Sequence, residues 1–140
     1  MLKINEEILP GVGLAGIKVG QSCEDIGIDK RSIKTLNGQN FAYKNDGAVC
    51  IFFDSENKVW QLSALAGYEG KLNQKHCIGE SIVDVISDGW TYSEELDGFV
   101  KQDQHGVIIR ANLEDASMSE IIEQQSSLIV SEITVASQII

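Results

Sequence analysis

The sequence predicts an α+β fold: one antiparallel sheet built from two diverged helix-plus-β-meander units, at about residues 10–66 and 75–137 of a single 140-residue domain. Three observations point there. The first is a repeated segment. Lys18-Val19-Gly20-Gln21-Ser22-Cys23-Glu24-Asp25-Ile26 returns, weakened, as Cys77-Ile78-Gly79-Glu80-Ser81-Ile82-Val83-Asp84-Val85, with Gly20, Ser22 and Asp25 matching Gly79, Ser81 and Asp84 in register. The second is that Gly47, before Val49-Cys50-Ile51, keeps the same spacing to Gly106, before Val107-Ile108-Ile109. Fixed-period self-similarity of this kind marks a duplicated unit. The third is the run of short, β-branched and aromatic segments separated by Asn-Asp-Gly and Ser-Glu-Asn connections, which is hairpin chemistry.

In chain order, the glycine-rich run from Pro10 to Gly16 predicts a turn between strands. It has no Gly-Lys-Ser/Thr ending for a phosphate loop, and Gly11-x-Gly13-x-x-Gly16 has no preceding strand to make it a dinucleotide fingerprint. Residues 17–19 alternate as a short strand. Gly20 takes the turn, and Ser22, with Asp25 three residues on, caps a helix expected over residues 23–28 that residues 29–36 continue or extend with a turn. Asn37-Gly38 is a break. Strands are expected over residues 40–44, 48–54 and 58–65, a three-stranded meander. The second unit repeats the order, with a short strand at 77–78, a helix capped by Ser81 through about residue 87, and extended segments at 90–92, 98–102 and 107–112. Residues 113–120 form a loop or short helix, and a helix over 119–126 is also compatible with the pattern. Residues 128–136 make the clearest strand in the chain, rich in Ile, Val and Thr.

Composition sets the functional class. Hydrophobic residues at 43% and charged residues at 23% are those of a globular domain large enough to bury a core. No basic start with an apolar run comes after Met1 and no stretch approaches the roughly 20 apolar residues of a membrane span, so a cytoplasmic location is expected. Cys23, Cys50 and Cys77 are odd in number and match no zinc or redox spacing, which predicts free thiols and no metal. His76 and His105 stand beside glycine-bearing turns without ligand spacing. A thiol–imidazole dyad, a Gly-x-Ser-x-Gly elbow and His-Glu-x-x-His all lack a motif, so no catalytic residues and no cofactor are predicted.

The formal net charge of −10 is unevenly placed. Residues 1–79 carry nine acidic and nine basic side chains, whereas residues 80–140 carry twelve acidic against Lys101 and Arg110 alone. Such a field excludes nucleic acid and attracts basic partners. Within the acidic part, Asp88, Trp90, Tyr92, Glu94, Glu95 and Asp97 interleave aromatics with carboxylates, and Asp103, Glu114 and Asp115 come after them. Aromatic anchors amid carboxylates suit a surface that grips a basic protein. The segment fits two placements: Trp90 and Tyr92 in the core with only the carboxylates in solvent, or the two rings presented among them. Phe99 belongs to the core.

Pro10-Gly11-Val12-Gly13-x-x-Gly16-Ile17-x-Val19-Gly20-x-Ser22, together with the later Asp46-Gly47-x-Val49-x-Ile51-x-Phe53-x-x-x-Asn57-Lys58-Val59, resembles small bacterial proteins with a "Gly-Ile-x-Leu-Gly-Met-Ser" start and an "Asp-Gly-Val" hairpin. Several of these are immunity proteins encoded beside secreted or contact-delivered toxins, including contact-dependent growth inhibition systems. The helix-plus-meander order is also similar to β-lactamase inhibitory protein and to small outer-membrane assembly lipoproteins. The resemblance covers residues 10–65 well and 77–112 weakly, with Gln21 where methionine is usual. It implies a scaffold and no catalytic residues. The expectation is a cytoplasmic immunity protein that neutralises a basic nuclease toxin by stoichiometric binding through its acidic surface. The alternative is a small-molecule-binding or scaffold module.

Overall fold

The core of the molecule is one face of an antiparallel sheet, buried under the segment before Lys34 and two short helices. The structure, a computed structural model, describes residues 2–113 and 117–137. A two-stranded hairpin, β1 (Gly13–Leu14) with β2 (Ile17–Lys18), comes first. Its two-residue loop has Ala15 at φ 57° and Gly16 at φ 77°, the pair of positive φ values that suits right-twisted strands. The main sheet then takes β3 (Lys34–Leu36), β4 (Gln39–Lys44), β5 (Val49–Phe53) and β6 (Val59–Ala64). After α1 (Ile82–Ser87) come β7 (Thr91–Ser93), β8 (Gly98–Lys101) and β9 (Gln104–Ala111), then α2 (Met118–Gln124) and β10 (Val130–Ala136). The order across the sheet is β3-β4-β5-β6-β10-β9-β8-β7, so four strands from each part of the chain meet where β6 pairs with β10.

Side chains alternate between the two faces. Val49, Ile51, Phe53, Leu62, Ala64, Val107, Ile109, Ile133 and Val135 point to the core, where they pack with Ile8, Leu14, Ile28, Leu72, Ile82, Val85, Trp90 and Ile121. Tyr68 ties the N-terminal segment down. Its hydroxyl accepts from Ala15 N at 2.8 Å and donates to Glu6 O at 2.8 Å.

The two Gly-x-Ser segments dock by matching main-chain bonds. Gly20 N–H reaches Val59 O at 2.7 Å, Val59 N–H reaches Gln21 O at 2.8 Å, and Cys23 N–H reaches Asn57 O at 2.9 Å. In the second part Gly79 N–H reaches Val130 O at 2.8 Å, Val130 N–H reaches Glu80 O at 2.8 Å, and Ile82 N–H reaches Leu128 O at 3.0 Å.

Beyond the Gly-x-Ser segments the chain departs from expectation. Ser22 and Asp25 do make the reciprocal cap, Asp25 N to Ser22 Oγ at 3.1 Å and Ser22 N to Asp25 Oδ2 at 3.3 Å. No helix grows from it over residues 23–28, because the stop arrives at once. Gly27, at φ 74°, donates to Glu24 O at 3.1 Å while Ile28 N–H reaches Cys23 O at 2.8 Å, the bond pair that closes a helix C-terminus. Cap and stop enclose a single turn. In the second part Ser81 caps through Val83 N at 3.3 Å, and Asp84 lies in the first turn of α1. The same closure, Gly89 N to Ile86 O at 3.0 Å and Trp90 N to Val85 O at 3.4 Å, comes three residues later, which leaves room for α1. Residues 29–36 are likewise not helical beyond a 3-10 turn at Lys30–Ser32 and instead supply edge strand β3. Residues 77–78 are not a strand. The helix compatible with residues 119–126 is present as α2, begun by a full capping box between Ser117 and Glu120.

Candidate functional site: the open face of the sheet

The other face of the sheet carries no covering layer among the described residues. Strand alternation places Phe41 and Tyr43 of β4, Cys50 and Phe52 of β5, Gln61 and Ser63 of β6, Thr134 and Ala136 of β10, Ile108 and Arg110 of β9 and Val100 of β8 there. A register shift opposite Phe52/Phe53 turns Trp60 onto the same side, its ring 6.2 Å from that of Phe52. Phe41 continues the row, 6.3 Å from Phe52 and 5.6 Å from Tyr43. Tyr43 is 55% and Trp60 40% exposed, so the row meets solvent.

A polar network crosses the middle of this face. Glu132 Oε2 accepts from Ser63 Oγ at 3.0 Å, from Thr134 Oγ1 at 2.6 Å and from Arg110 Nη1 at 3.3 Å. Arg110 also donates to Thr134 Oγ1 at 3.1 Å, to Asp97 O at 3.2 Å and to Leu96 O at 3.3 Å, which ties the β7–β8 turn to the sheet. Gly98 makes this possible, since a Cβ there would press on Ile108 and stand 3.1 Å from Arg110 Cγ. Cys50 borders the network. Burial, reinforced by the Glu132 charge and opposed by the Tyr43 hydroxyl, pushes its thiol up to about 11.

Between the aromatic row and the β7–β8 turn lies a groove of about 610 Å³, lined by Trp60, Gln61, Ser93, Glu95, Leu96, Val100, Ile108, Arg110, Thr134 and Ala136. A shallower one of about 360 Å³ runs from Leu36 and Asn37 past Tyr43 to Phe52.

The residues expected to form an acidic grip do not converge. Asp88 caps the end of α1 and is engaged by Lys75 at 2.6 Å, His76 at 2.8 Å, Trp90 Nε1 at 3.3 Å and Lys101 at 3.6 Å. Trp90 is a correction to its reading as a surface anchor: at 2% exposure it is core, edge-on to His76 at 6.0 Å. Tyr92 lies against Phe99 at 5.3 Å on the covered face, half-buried, and donates to Asp97 Oδ1 at 2.6 Å. Glu94 accepts from Met118 N at 3.0 Å at the start of α2. Glu95 is exposed on the groove wall. Asp103 sits in the β8–β9 turn, at the opposite end of β8 from Glu94, Glu95 and Asp97. Glu114 and Asp115 lie outside the described residues. Gly20, Ser22, Asp25, Gly79, Ser81 and Asp84 are structural, holding the two docking segments and their caps.

Sequence reasoning does not reach the aromatic row, because Phe41, Tyr43, Phe52 and Trp60 come from three strands whose hydrophobicity suggests core on both faces. Alternation in 59–65 even groups Trp60 with Leu62 and Ala64 on one face, and only the register shift at Phe52/Phe53 separates it from them. No group of three His, Cys, Asp or Glu among the described residues could hold a metal ion. Both ring nitrogens of His76 are occupied by carboxylates, Glu80 at 2.9 Å and Asp88 at 2.8 Å.

The sequence matches no protein-family model and no curated protein. Among solved structures, the fold is similar to that of the uncharacterized protein yfeY from Escherichia coli. The superposition covers 96% of this chain and 99% of that one, with a TM-score of 0.55 at 15% sequence identity. That likeness carries the fold alone. No helix among the described residues is long and apolar enough to cross a membrane.

Proposed function

We propose that this chain is a non-catalytic, cytoplasmic immunity-type protein that neutralises a bacterial toxin domain by binding it one to one through the open face of its sheet. The observation that carries the reading is the aromatic row of Phe41, Tyr43, Phe52 and Trp60, with Tyr43 and Trp60 exposed, beside a groove on an uncovered face. Eight strands about 4.8 Å apart span about 34 Å, and five residues of strand about 17 Å, giving roughly 600 Å² in plan. A stable interface takes about 800 Å² from each partner, more than this plan area, so a partner bound here covers the whole face and part of its rim. Aromatic anchors around a fully hydrogen-bonded centre are what an affinity-bearing surface uses.

The partner is a basic domain, a nuclease above all, on the strength of the −10 charge and its concentration after residue 79. The acidic residues act as a long-range field more than as a contact patch, since Asp88, Glu94 and Asp97 already hold internal partners. The matching docking bonds of the Gly20 and Gly79 segments, together with four-plus-four strand order, support a tandem duplication as the origin of the scaffold. A high-pKa Cys50 and a carboxylate-bracketed His76 support the absence of catalysis.

The test is co-expression with the product of the adjacent reading frame. Growth rescue and a 1:1 complex that weakens at least tenfold in Tyr43→Ala are expected; absence of any complex would overturn the reading. A second reading, a small-molecule-binding module, is favoured by the size of the groove, within the few hundred Å³ that drug-sized ligands fill.

A further inference from the structure

We infer that the groove between Trp60 and Glu95 receives an arginine side chain projecting from the partner. This rests on the proposal that the open face binds a basic protein, and it names what the groove contributes. Charge decides the guest. Arg110 is poorly placed to serve an anion, because four hydrogen bonds already engage Nε, Nη1 and Nη2, to Glu132, Thr134 and the carbonyls of Leu96 and Asp97, and Glu132 meets its charge. Glu132 does not line the groove, and its charge is already met by Arg110 at 3.3 Å. Glu95 is the one ionised side chain on the groove wall that has no hydrogen bond or ion pair among the described residues.

A purely apolar guest would strip water from the Glu95 carboxylate without replacing its hydrogen bonds, which costs free energy. A cation would restore them. The groove also offers the exposed indole of Trp60, the best side chain for holding a cation against a ring face. Arginine suits the pair better than lysine, since a planar guanidinium stacks on the indole while its edge meets the carboxylate in two parallel bonds. A side chain of the partner is favoured over a free cation because the groove is continuous with the aromatic row, so one protein surface covers both.

The experiment uses the full chain, isotope-labelled, titrated with N-acetyl-arginine amide, with its neutral isostere N-acetyl-citrulline amide, and with guanidinium ion at matched ionic strength. Expected are saturable shifts at the Trp60 indole N–H and the Glu95 amide with the arginine amide, at least fivefold weaker in Glu95→Gln and in Trp60→Ala. Equal binding of the citrulline amide would overturn the cation assignment. Equal binding of guanidinium would overturn the side-chain assignment in favour of a small-cation site. Retained folding of both variants is read from the undisturbed shift of the buried Trp90 indole. The two proposals fail separately. A co-expressed complex whose Kd is unchanged in Trp60→Ala and Glu95→Gln sinks the arginine pocket and leaves the binding face standing. A chain that binds arginine amide but forms no complex does the reverse.

Discussion

His76 Nε2 stands 2.8 Å from Asp88 Oδ2, which joins the loop before α1 to the residue that ends it. The contact lies over Trp90, whose ring meets the imidazole edge-on and whose Nε1 donates to the same carboxylate oxygen. Lys75 and Lys101 bring positive charge to Asp88, and Glu80 holds the other ring nitrogen of His76. A segment that looks in sequence like an acidic surface is therefore a neutralised clasp at the edge of the core.

Asp88 is expected to make stability depend on acid. The Lys75 ammonium, then His76, with smaller help from Trp90 Nε1 and Lys101, holds its carboxyl well below the usual carboxylate range, against the opposing effect of burial. A depressed native pKa means that the unfolded chain binds the proton first, so the contribution is complete above the usual range and disappears as pH falls below it. Urea midpoints of the protein and of Asp88→Asn should differ clearly at pH 7 and draw together as the pH is taken below 4. A constant difference across that window would contradict the clasp.

The two tryptophans should respond oppositely. Trp90→Ala empties a fully enclosed site and should cost about 3–5 kcal/mol in denaturant unfolding. Trp60→Ala, on the open face, should change stability by about 0.5 kcal/mol or less while weakening partner binding.

Removing Glu132 leaves the guanidinium of Arg110 and two hydroxyls without their shared acceptor at the centre of the sheet. Glu132→Ala should cost about 1–3 kcal/mol, measured by urea unfolding, because the orphaned donors remain partly buried. Glu132→Gln, which keeps an acceptor oxygen, should cost less.

Thiol titration should separate the cysteines. Cys77 is partly exposed, whereas Cys23 and Cys50 are buried. With its pKa pushed up to about 11, Cys50 has a thiolate fraction of only about one in a thousand at pH 8. One fast-reacting group, then two that react only on unfolding, is the expected pattern with an aromatic disulfide reagent.

Gly27→Ala and Gly89→Ala should each cost about 1–2 kcal/mol, since both residues hold positive φ at the end of a turn or helix. Loss of helical circular dichroism should accompany only the second, because only Gly89 closes a helix.

The class of the fold, most of its strands and the two Gly-x-Ser starts are legible in the amino-acid order, because they rest on local chemistry: turn residues, caps and β-branched runs act over a few positions. The reason why the first start yields no helix is there too, in the spacing from Ser22 to Gly27 against that from Ser81 to Gly89. That spacing acquires meaning only once both closures are seen. Which face of each strand is covered is a matter of packing alone. Phe41, Phe52 and Trp60 look like core by composition, and Trp90 fits core or surface beside its acidic neighbours, yet burial puts Trp90 in the core and Trp60 on the open face. The physical reason is that hydrophobicity fixes how strongly a side chain prefers to leave water, while the layer that covers it is supplied by residues distant in the chain. Here the segment before β3, α1 and α2 cover one face and leave the other bare. The same non-local pairing spent Asp88, Glu94 and Asp97 on internal partners and left Glu95 on the groove wall.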